Sequence, residues 1–172
     1  IGHALAGATV IGNLSASDEI TGKDTYRENL VGGQSARLVC GYIYADAGEG
    51  ESTTDLVFGG HNVIAENGNL LSGAKRFENQ IIFADLDMEK LAAERRRMTT
   101  FAPCGNGGYV TVSFELDTVE FKLDRRIDPS PFVPSDILAR GKRCEEILNI
   151  QALGLKKRLI HTHSEHAVVG IS

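Results

Sequence analysis

The stretch NVIAENGNLLSGAK, from Asn62 to Lys75, places two apolar runs on either side of the pair Asn67-Gly68. Asparagine followed by glycine readily adopts the positive φ angles of a tight turn between antiparallel strands. We therefore predict strands at Asn62–Glu66 and Leu70–Lys75, joined as a β-hairpin.

The residues before this hairpin predict a strand, a helix and a second strand. Ala8–Leu14 is a β-branched run between a glycine and a polar loop, which is typical of a buried strand. A helical pattern follows from Thr21 to about Cys40, and Gly41 ends it. Tyr42–Ala45 then has the composition of another strand.

The predicted helix at residues 21–40 has a polar start and a slim flank. Thr21 is the expected N-cap, and Asp24 in the first turn suits the positive end of the helix dipole. Each glycine in a helix costs about 1 kcal/mol relative to alanine, so close packing against a sheet or another helix is expected to compensate. The small residues on this flank are Gly32, Gly33, Ser35 and Ala36.

The segments that flank the hairpin predict more strands and a second helix. Asp55–Gly59 and Gln80–Asp85 have strand composition, and Asp87 is placed to cap a helix that runs to about Met98. Arg95–Arg97 lies in the last turn of that helix, where cations suit the dipole. The order of elements predicts a layered α/β fold with a mixed or antiparallel sheet.

The last third of the chain has a different character. Val110–Leu116 alternates as a strand does, and Asp128–Pro134 is an extended linker because its prolines disfavour helix. A long helix is expected from Ser135 to about Leu159, followed by an apolar strand at Ala167–Ser172 that needs a partner. The core-facing stripe of the helix is predicted at Cys144, Leu148, Ala152, Leu155 and Leu159.

Composition limits the class of protein. The chain has 172 residues, 42% of them hydrophobic, and a formal net charge of −5, which disfavours nucleic acid or an anionic membrane as partner. No segment approaches the roughly 20 apolar residues that span a bilayer. The three widely spaced cysteines give no disulfide framework and no paired zinc motif, so the reducing cytoplasm is the expected location.

Several short motifs occur in the order found in one enzyme family. The turn AGEGESTTD at Ala47–Asp55 and the segment NLSAS at Asn13–Ser17 resemble the glutamine-amidase, nitrilase-like half of glutamine-dependent NAD synthetases. Further matching stretches are Glu66–Gly68, Arg95–Phe101, Pro131–Pro134 and Val168–Ser172.

The resemblance implies half of a nitrilase-like α-β-β-α sandwich, with a linker helix and the first strand of a nucleotide-binding domain. Residues 1–118 would be the C-terminal part of the glutaminase domain. Residues 119–135 would be the linker, and residues 136–172 the start of the synthetase domain.

The same resemblance implies the chemistry of a parent enzyme. That enzyme would hydrolyse glutamine through a Glu-Lys-Cys triad and pass ammonia to nicotinic acid adenine dinucleotide, activated with ATP and Mg²⁺. The triad cysteine would precede Ile1, and the ATP-binding loop would begin at Ser172. We therefore expect no catalytic residue, bound cofactor, metal or glutamine hydrolysis in these 172 residues alone, and a homo-oligomeric parent enzyme.

Ser17 and Lys23 are the strongest candidates for substrate-binding residues. A lysine in the first turn of a helix is locally unfavourable, because the helix N-terminus already bears positive partial charge. An anion such as the α-carboxylate of glutamine would explain this placement. In the resemblance both positions contact glutamine; some relatives have arginine at the position of Lys23, and lysine lacks its bidentate fork. The alternative is a strand end and a solvated surface lysine.

Other polar residues are weaker candidates. Asp18 and Glu19 are adjacent carboxylates, which rarely converge on one atom, although one of them could meet the substrate ammonium. Glu49 and Glu51 lie in the glycine-rich turn, where a supporting electrostatic role and a solvated turn are both open.

Cysteine and histidine give no convincing catalytic or metal site. Cys104 lies in a loop without an evident activating base, and Cys40 and Cys144 are expected to be small core residues on helices. The cluster of His161, His163 and His166 lacks a thiolate or carboxylate partner at a convincing spacing for a metal. At the C-terminus, Gly170 and Ser172 match the Gly-Ile-Ser approach to the family's ATP loop, so at most a weak nucleotide contact is expected there.

Two alternatives remain open at this level. One is a different nitrilase-like amidase with an unrelated appendage, and the other is a non-catalytic binding or scaffold module. Codons for Gly-Gly-x-Asp-Ser after Ser172 would favour the synthetase, and an upstream cysteine after acidic and lysine-bearing segments would discount the scaffold.

Overall fold

The computed structural model describes residues 1–52, 54–99, 108–125 and 127–170. The chain divides into two compact units, Ile1–Arg125 and Arg126–Ser172. The first unit holds a mixed α/β arrangement, as predicted, and the second holds a long helix.

A four-stranded mixed sheet forms the centre of the first unit. The two N-terminal strands are parallel, and the remaining neighbours are antiparallel, in the spatial order β1-β2-β3-β4. The strands are β1 (Val10–Ser15), β2 (Gly41–Asp46), β3 (Val63–Glu66) and β4 (Asn69–Gly73).

Among the described residues, three helices accompany this sheet in the first unit, and one helix lies in the second. The first is a single turn, and the second connects the two parallel strands as a crossover helix must. The helices are α1 (Gly2–Leu5), α2 (Lys23–Leu38), α3 (Met88–Arg97) and α4 (Ile137–Thr162).

The core of the first unit lies between α2 and the strands β2 and β3. Val31 of α2 packs with Tyr44 of β2 and with Val63 and Ala65 of β3, all four of them buried. A second small cluster, at the end of α2, contains Ala4, Leu38 and Cys40.

The hairpin forms as predicted at Asn67-Gly68. Both residues adopt positive φ angles, 43° at Asn67 and 91° at Gly68. The slim flank of α2 packs against this turn: a Cβ on Gly32 would lie 3.6 Å from the Gly68 carbonyl oxygen. The hydroxyl of Ser35 accepts a hydrogen bond from the Gly68 N–H at 2.8 Å. The predicted close packing of this flank is therefore confirmed, although Gly33 lies on the exposed side.

The start of α2 differs from the prediction. The N-cap is Gly22 in the left-handed region (φ 79°), without a capping side chain, so the prediction of Thr21 as N-cap is wrong. Glycine reaches this conformation without steric cost, whereas threonine does not. Asp24 lies in the first turn as expected.

β1 is more exposed than the sequence suggested. Its residues alternate between exposed and half-buried, and the Leu14 side chain is 89% exposed. Among the described residues β1 pairs only with β2, so it is an edge strand of this sheet. The expectation of a buried strand was therefore wrong.

Four predicted strands do not form. Residues 55–59, 80–85, 110–116 and 167–170 have no strand structure, and residues 171 and 172 lie outside the described part of the chain. The first of these segments makes isolated backbone contacts, such as the hydrogen bond from the Glu19 N–H to the Val57 carbonyl at 2.7 Å. A strand needs a continuous ladder with a neighbour, and single bonds do not provide it.

The helix α3 begins at the predicted cap. The Asp87 carboxylate accepts from the Lys90 N–H at 2.9 Å, and the last turn carries Arg95, Arg96 and Arg97. Buried Glu66 holds this region, accepting from the Asp87 N–H at 2.6 Å and from both terminal nitrogens of Arg125 at 2.7 and 2.9 Å.

Arg95 also contacts the end of α2. Its guanidinium donates to the carbonyls of Ala8 (2.7 Å), Leu38 (3.1 Å) and Val39 (2.9 Å). The last carbonyls of a helix have no partner within it, and a cation there suits the helix dipole. The side chain of Arg95 therefore caps α2 from α3.

The long helix α4 begins and ends close to the predicted bounds but has no buried residue. Asp136 caps it by accepting from the Ala139 N–H at 2.6 Å. In the predicted stripe, Leu159 is half-buried and the others are exposed, so the prediction of a core-facing stripe, with Cys144 in the core, is wrong for the described residues. The spacing of apolar residues shows which side of a helix is apolar, but that side is buried only if another element packs against it.

Within the described residues, no helix is long and apolar enough to cross a membrane.

Candidate functional site

Ser17 follows the C-terminal end of β1 and is held from two directions. Its N–H donates to the Asp46 carboxylate at 3.0 Å. Its carbonyl and its hydroxyl oxygen each accept from Arg27 Nη2 at 3.3 Å. Asp46 ends β2, the parallel neighbour of β1, so the two strands bring these residues to one edge of the sheet.

Lys23 is the first residue of α2 and forms an ion pair with Asp18. Its Nζ lies 2.7 Å from Asp18 Oδ1 and also donates to the Asp18 carbonyl. The lysine side chain is 19% exposed and that of Asp18 is 42% exposed. The hydrogen bond and charge of Lys23 lower the pKa of Asp18. The pair therefore presents a cation and an anion side by side, next to Ser17 in the chain.

Arg27, one turn further along α2, is the buried centre of the site. The residue is 2% exposed. Its Nη1 donates to Glu19 Oε1 at 2.9 Å and to His61 Nδ1 at 3.1 Å, and its Nη2 lies 3.3 Å from Asp46 Oδ2. Because a buried charge is costly unless it is paired, these carboxylates are what keeps Arg27 in the interior.

A second arginine continues the network towards the surface. Arg76 lies 3.4 Å from the other Glu19 oxygen and 3.1 Å from Asp24. The Glu19 side chain is 5% exposed, so it is a buried carboxylate shared by two arginines. This pairing makes Glu19 a structural anion, whereas Asp18 remains accessible.

His61 is buried beside Arg27, and its pKa is lowered. Burial is the main cause, the charge of Arg27 adds to it, and the carboxylates of Glu28 and Glu19 partly oppose it. Arginine only donates, so its contact with Nδ1 leaves the proton of the neutral ring on Nε2. This nitrogen faces Glu28 Oε1 at 3.6 Å.

Glu49 and Glu51 are both exposed in the glycine-rich turn. The N–H of Glu49 donates to Asn79 Oδ1 at 3.3 Å, and the Asn79 amide donates back to its carboxylate at 3.5 Å. The N–H of Glu51 contacts the Gly48 carbonyl at 3.4 Å. These contacts stabilise the turn. They do not point to a catalytic or binding role for either carboxylate.

The cysteine and histidine candidates gain no support. Cys40 is buried just after α2, where burial raises the pKa of its thiol, and Cys104 lies outside the described residues. His161, at the end of α4, is exposed, as are His163 and His166. The described residues contain no group of three metal-ligating side chains. Gly170 is exposed, and Ser172 lies outside the described part of the chain.

The buried residues Arg27, Asp46 and His61 were missed by the sequence analysis. The available signal was charge periodicity: Lys23 and Arg27 are four residues apart, so they lie on one face of α2. An arginine on the face of a helix that packs against a sheet needs buried acids, and Asp46 at the end of a predicted strand was a candidate partner.

No family model matches the sequence. A glutamine-dependent NAD(+) synthetase of Mycobacterium tuberculosis is 41% identical over 180 residues, which covers 98% of this chain. The corresponding protein of Mycobacterium leprae is 40% identical over 181 residues, again 98% of the chain.

The chain is homologous to a segment of the glutamine-dependent NAD(+) synthetases. It spans 26% of the length of each of these two relatives. The synthetase of Aquifex aeolicus is 27% identical over 170 residues, of which the chain spans 28%. The family resemblance drawn from the short motifs is thereby confirmed.

Solved structures of glutamine-dependent NAD(+) synthetases are also similar to this chain. A glutamine-dependent NAD(+) synthetase from Cytophaga hutchinsonii has a TM-score of 0.42 and 36% identity, covering 44% of this chain and 13% of that one. A synthetase from Acinetobacter baumannii in complex with ADP has a TM-score of 0.46 and 20% identity, covering 51% of this chain and 16% of that one.

Proposed function

We propose that the chain forms part of a glutamine-dependent NAD(+) synthetase and supplies part of the glutamine-binding wall of its amidase half. The identity of 41% across 98% of the chain, to proteins named for that activity, is the observation that carries this proposal. The NLSAS segment and the glycine-rich turn lie within the aligned length.

The residues at the end of β1 fit the head group of an amino acid. Glutamine carries an α-carboxylate and an α-ammonium, so its recognition needs one cation and one anion close together. Lys23 and Asp18 provide these charges as a partly exposed ion pair. Ser17 adds a hydroxyl that accepts from Arg27 and retains its own proton to donate. We assign the carboxylate to Lys23 and Ser17 and the ammonium to Asp18.

The remaining chemistry of the proposed enzyme is assigned to other parts of the full-length protein. Ammonia released from glutamine would amidate nicotinic acid adenine dinucleotide, activated with ATP and Mg²⁺. We place the end of the amidase region at residue 118 and the start of the synthetase region at residue 136. We also propose that the full-length protein is a cytoplasmic homo-oligomer.

The role of Ser17 and Lys23 is tested in the full-length synthetase that carries this segment. We expect Ser17→Ala and Lys23→Ala each to raise the KM for glutamine about tenfold, as the loss of a hydrogen bond to a charged group implies. Ammonia-driven NAD synthesis should remain nearly unchanged, because only head-group binding to one substrate is lost. Steady-state rates with glutamine and with ammonium salts measure both quantities.

A suitable control is Lys90→Ala, which removes an exposed lysine from the first turn of α3. It should change neither activity. Equal loss of the glutamine-driven and ammonia-driven rates in the Ser17 and Lys23 variants would show that these residues are structural, and would remove the site from the proposal.

A further inference from the structure

The side chains around Ser17 form a clamp, which we define as Arg27 and Asp46. Ser17 has three backbone or side-chain polar groups in contact with them: its N–H donates to Asp46, and its carbonyl and hydroxyl accept from Arg27. Arg27 Nη2 and Asp46 Oδ2 are themselves 3.3 Å apart. The clamp therefore closes around one residue of an irregular segment.

Both members of the clamp are rigidly placed. The Arg27 side chain is 2% exposed and that of Asp46 is 0% exposed. They belong to regular elements, since Arg27 lies in α2 and Asp46 ends β2. A side chain on a packed helix or strand holds its position better than one on a loop.

Two polar atoms of the clamp itself have no hydrogen-bond partner in the described part of the chain. Neither Arg27 Nε nor Asp46 Oδ2 has a hydrogen-bond partner among the described residues, although both are buried. A buried polar atom without a partner costs free energy, and its presence calls for an explanation. The orientation of Arg27 instead directs Nη2 at the two oxygens of Ser17.

We propose that Arg27 and Asp46 are positioning residues that fix the Ser17 hydroxyl for the head group of glutamine. This inference rests on the proposed function of the site. Arg27 donates to the Ser17 oxygen, so the hydroxyl proton must point elsewhere and is available to a carboxylate. Asp46 fixes the backbone of Ser17 and holds the charge of Arg27 beside it.

The test is a double-mutant cycle in the full-length synthetase. We expect Arg27→Lys, which keeps the charge but loses the fork, to raise the glutamine KM about fivefold to tenfold, with little effect on the ammonia-driven rate. Combined with Ser17→Ala, it should add nothing further, because its effect is exerted through that hydroxyl. Asp46→Asn, of the same size, should raise the KM in the same direction.

Arg97→Gln is the matched control, since Arg97 is an exposed arginine of α3 that pairs with Glu94 and lies outside the network of Arg27. The glutamine KM of this variant should stay within about twofold of that of the unmodified enzyme. If Arg27→Lys lowers both the melting temperature and the ammonia-driven rate, that variant is destabilised as a whole. The glutamine KM of Asp46→Asn then decides whether the clamp positions Ser17.

The outcomes separate the two proposals. A raised KM in Ser17→Ala with an unchanged KM in both clamp variants would overturn the clamp and leave the proposed function in place. An unchanged KM in Ser17→Ala would overturn the proposed role of Ser17, and the clamp with it. Full additivity of Ser17→Ala and Arg27→Lys would likewise overturn positioning through Ser17.

Discussion

Gly59 lies against the buried carboxylate of Glu19. A Cβ atom at this position would stand 2.6 Å from Glu19 Oε1 and 2.9 Å from two carbons of the same side chain. Glu19 cannot withdraw easily, because Arg27 and Arg76 hold both of its oxygens. The absence of a side chain at residue 59 is therefore a condition for the ion network.

We predict that Gly59→Ala destabilises the chain by about 1–3 kcal/mol, the usual cost of inserting an extra group into a packed site. Denaturant unfolding measures this as a lower midpoint. Gly73→Ala is the control, because a Cβ there has open space. An unchanged midpoint for Gly59→Ala would mean that the Glu19 carboxylate moves freely.

At the residue scale, local sequence identified Ser17 and Lys23 as candidates but not what holds them. The partners of Ser17 are ten and 29 residues away in the chain. Such contacts arise from the parallel pairing of β1 and β2 and from the packing of α2, which no local pattern specifies. The pairing of Lys23 with Asp18 was within reach of sequence reasoning, because the two residues are only five apart.

Among the elements, α2 and the β3–β4 hairpin are joined by one buried hydroxyl. Ser35 Oγ donates to the Gly32 carbonyl at 2.8 Å and accepts from the Gly68 N–H at 2.8 Å. Ser35 is fully buried, so its bond to the Gly32 carbonyl is shielded from water, whereas Gly68 lies in an exposed turn. The turn of the hairpin is therefore attached to the helix through a side chain.

We predict that Ser35→Ala destabilises the chain by about 0.5–1.5 kcal/mol, because it removes both hydrogen bonds of the Ser35 hydroxyl, to the Gly32 carbonyl and from the Gly68 N–H. Gly33→Ala, two residues earlier on the exposed side of α2, should instead stabilise the chain by up to about 1 kcal/mol. Thermal or denaturant unfolding of both variants measures the contrast. A more stable Ser35→Ala variant, or a less stable Gly33→Ala variant, would contradict the described packing.

Elements with strong local signals were predictable, and elements that depend on neighbours were not. The Asn67-Gly68 turn and the Asp87 cap specify their conformations within a few residues. Residues 55–59, 80–85 and 110–116 have strand composition but no ladder. Whether such a run becomes a strand depends on pairing with a distant segment, and composition does not contain that information.

For the molecule as a whole, two buried titratable groups connect stability to pH. The pKa of His61 is lowered from 6.5, chiefly by burial, and that of Glu66 is lowered from 4.5. Burial alone would raise the pKa of Glu66, but the hydrogen bonds from Arg125 and Asp87 outweigh it. In both cases the unfolded chain binds its proton more tightly than the folded chain does.

We therefore predict that the free energy of unfolding falls as the pH decreases, first below about 6.5 as His61 titrates in the unfolded state and again below about 4.5 as Glu66 does. Denaturant unfolding across pH 4–8 measures this dependence, and unfolding should be accompanied by proton uptake in each window.

The variant His61→Gln isolates the upper window, since glutamine does not titrate. Its stability should no longer change between about pH 6.5 and pH 5, whatever its value at pH 7. An unaltered slope in this variant would show that another group is responsible.

The contact of Arg95 with three backbone carbonyls has a consequence for local opening. Detachment of α3 would withdraw one guanidinium from Ala8, Leu38 and Val39 at once. The C-terminal end of α2 would therefore lose its cap when α3 detaches. We therefore expect the last turn of α3, the end of α2 and the segment that leads into β1 to open together rather than one at a time.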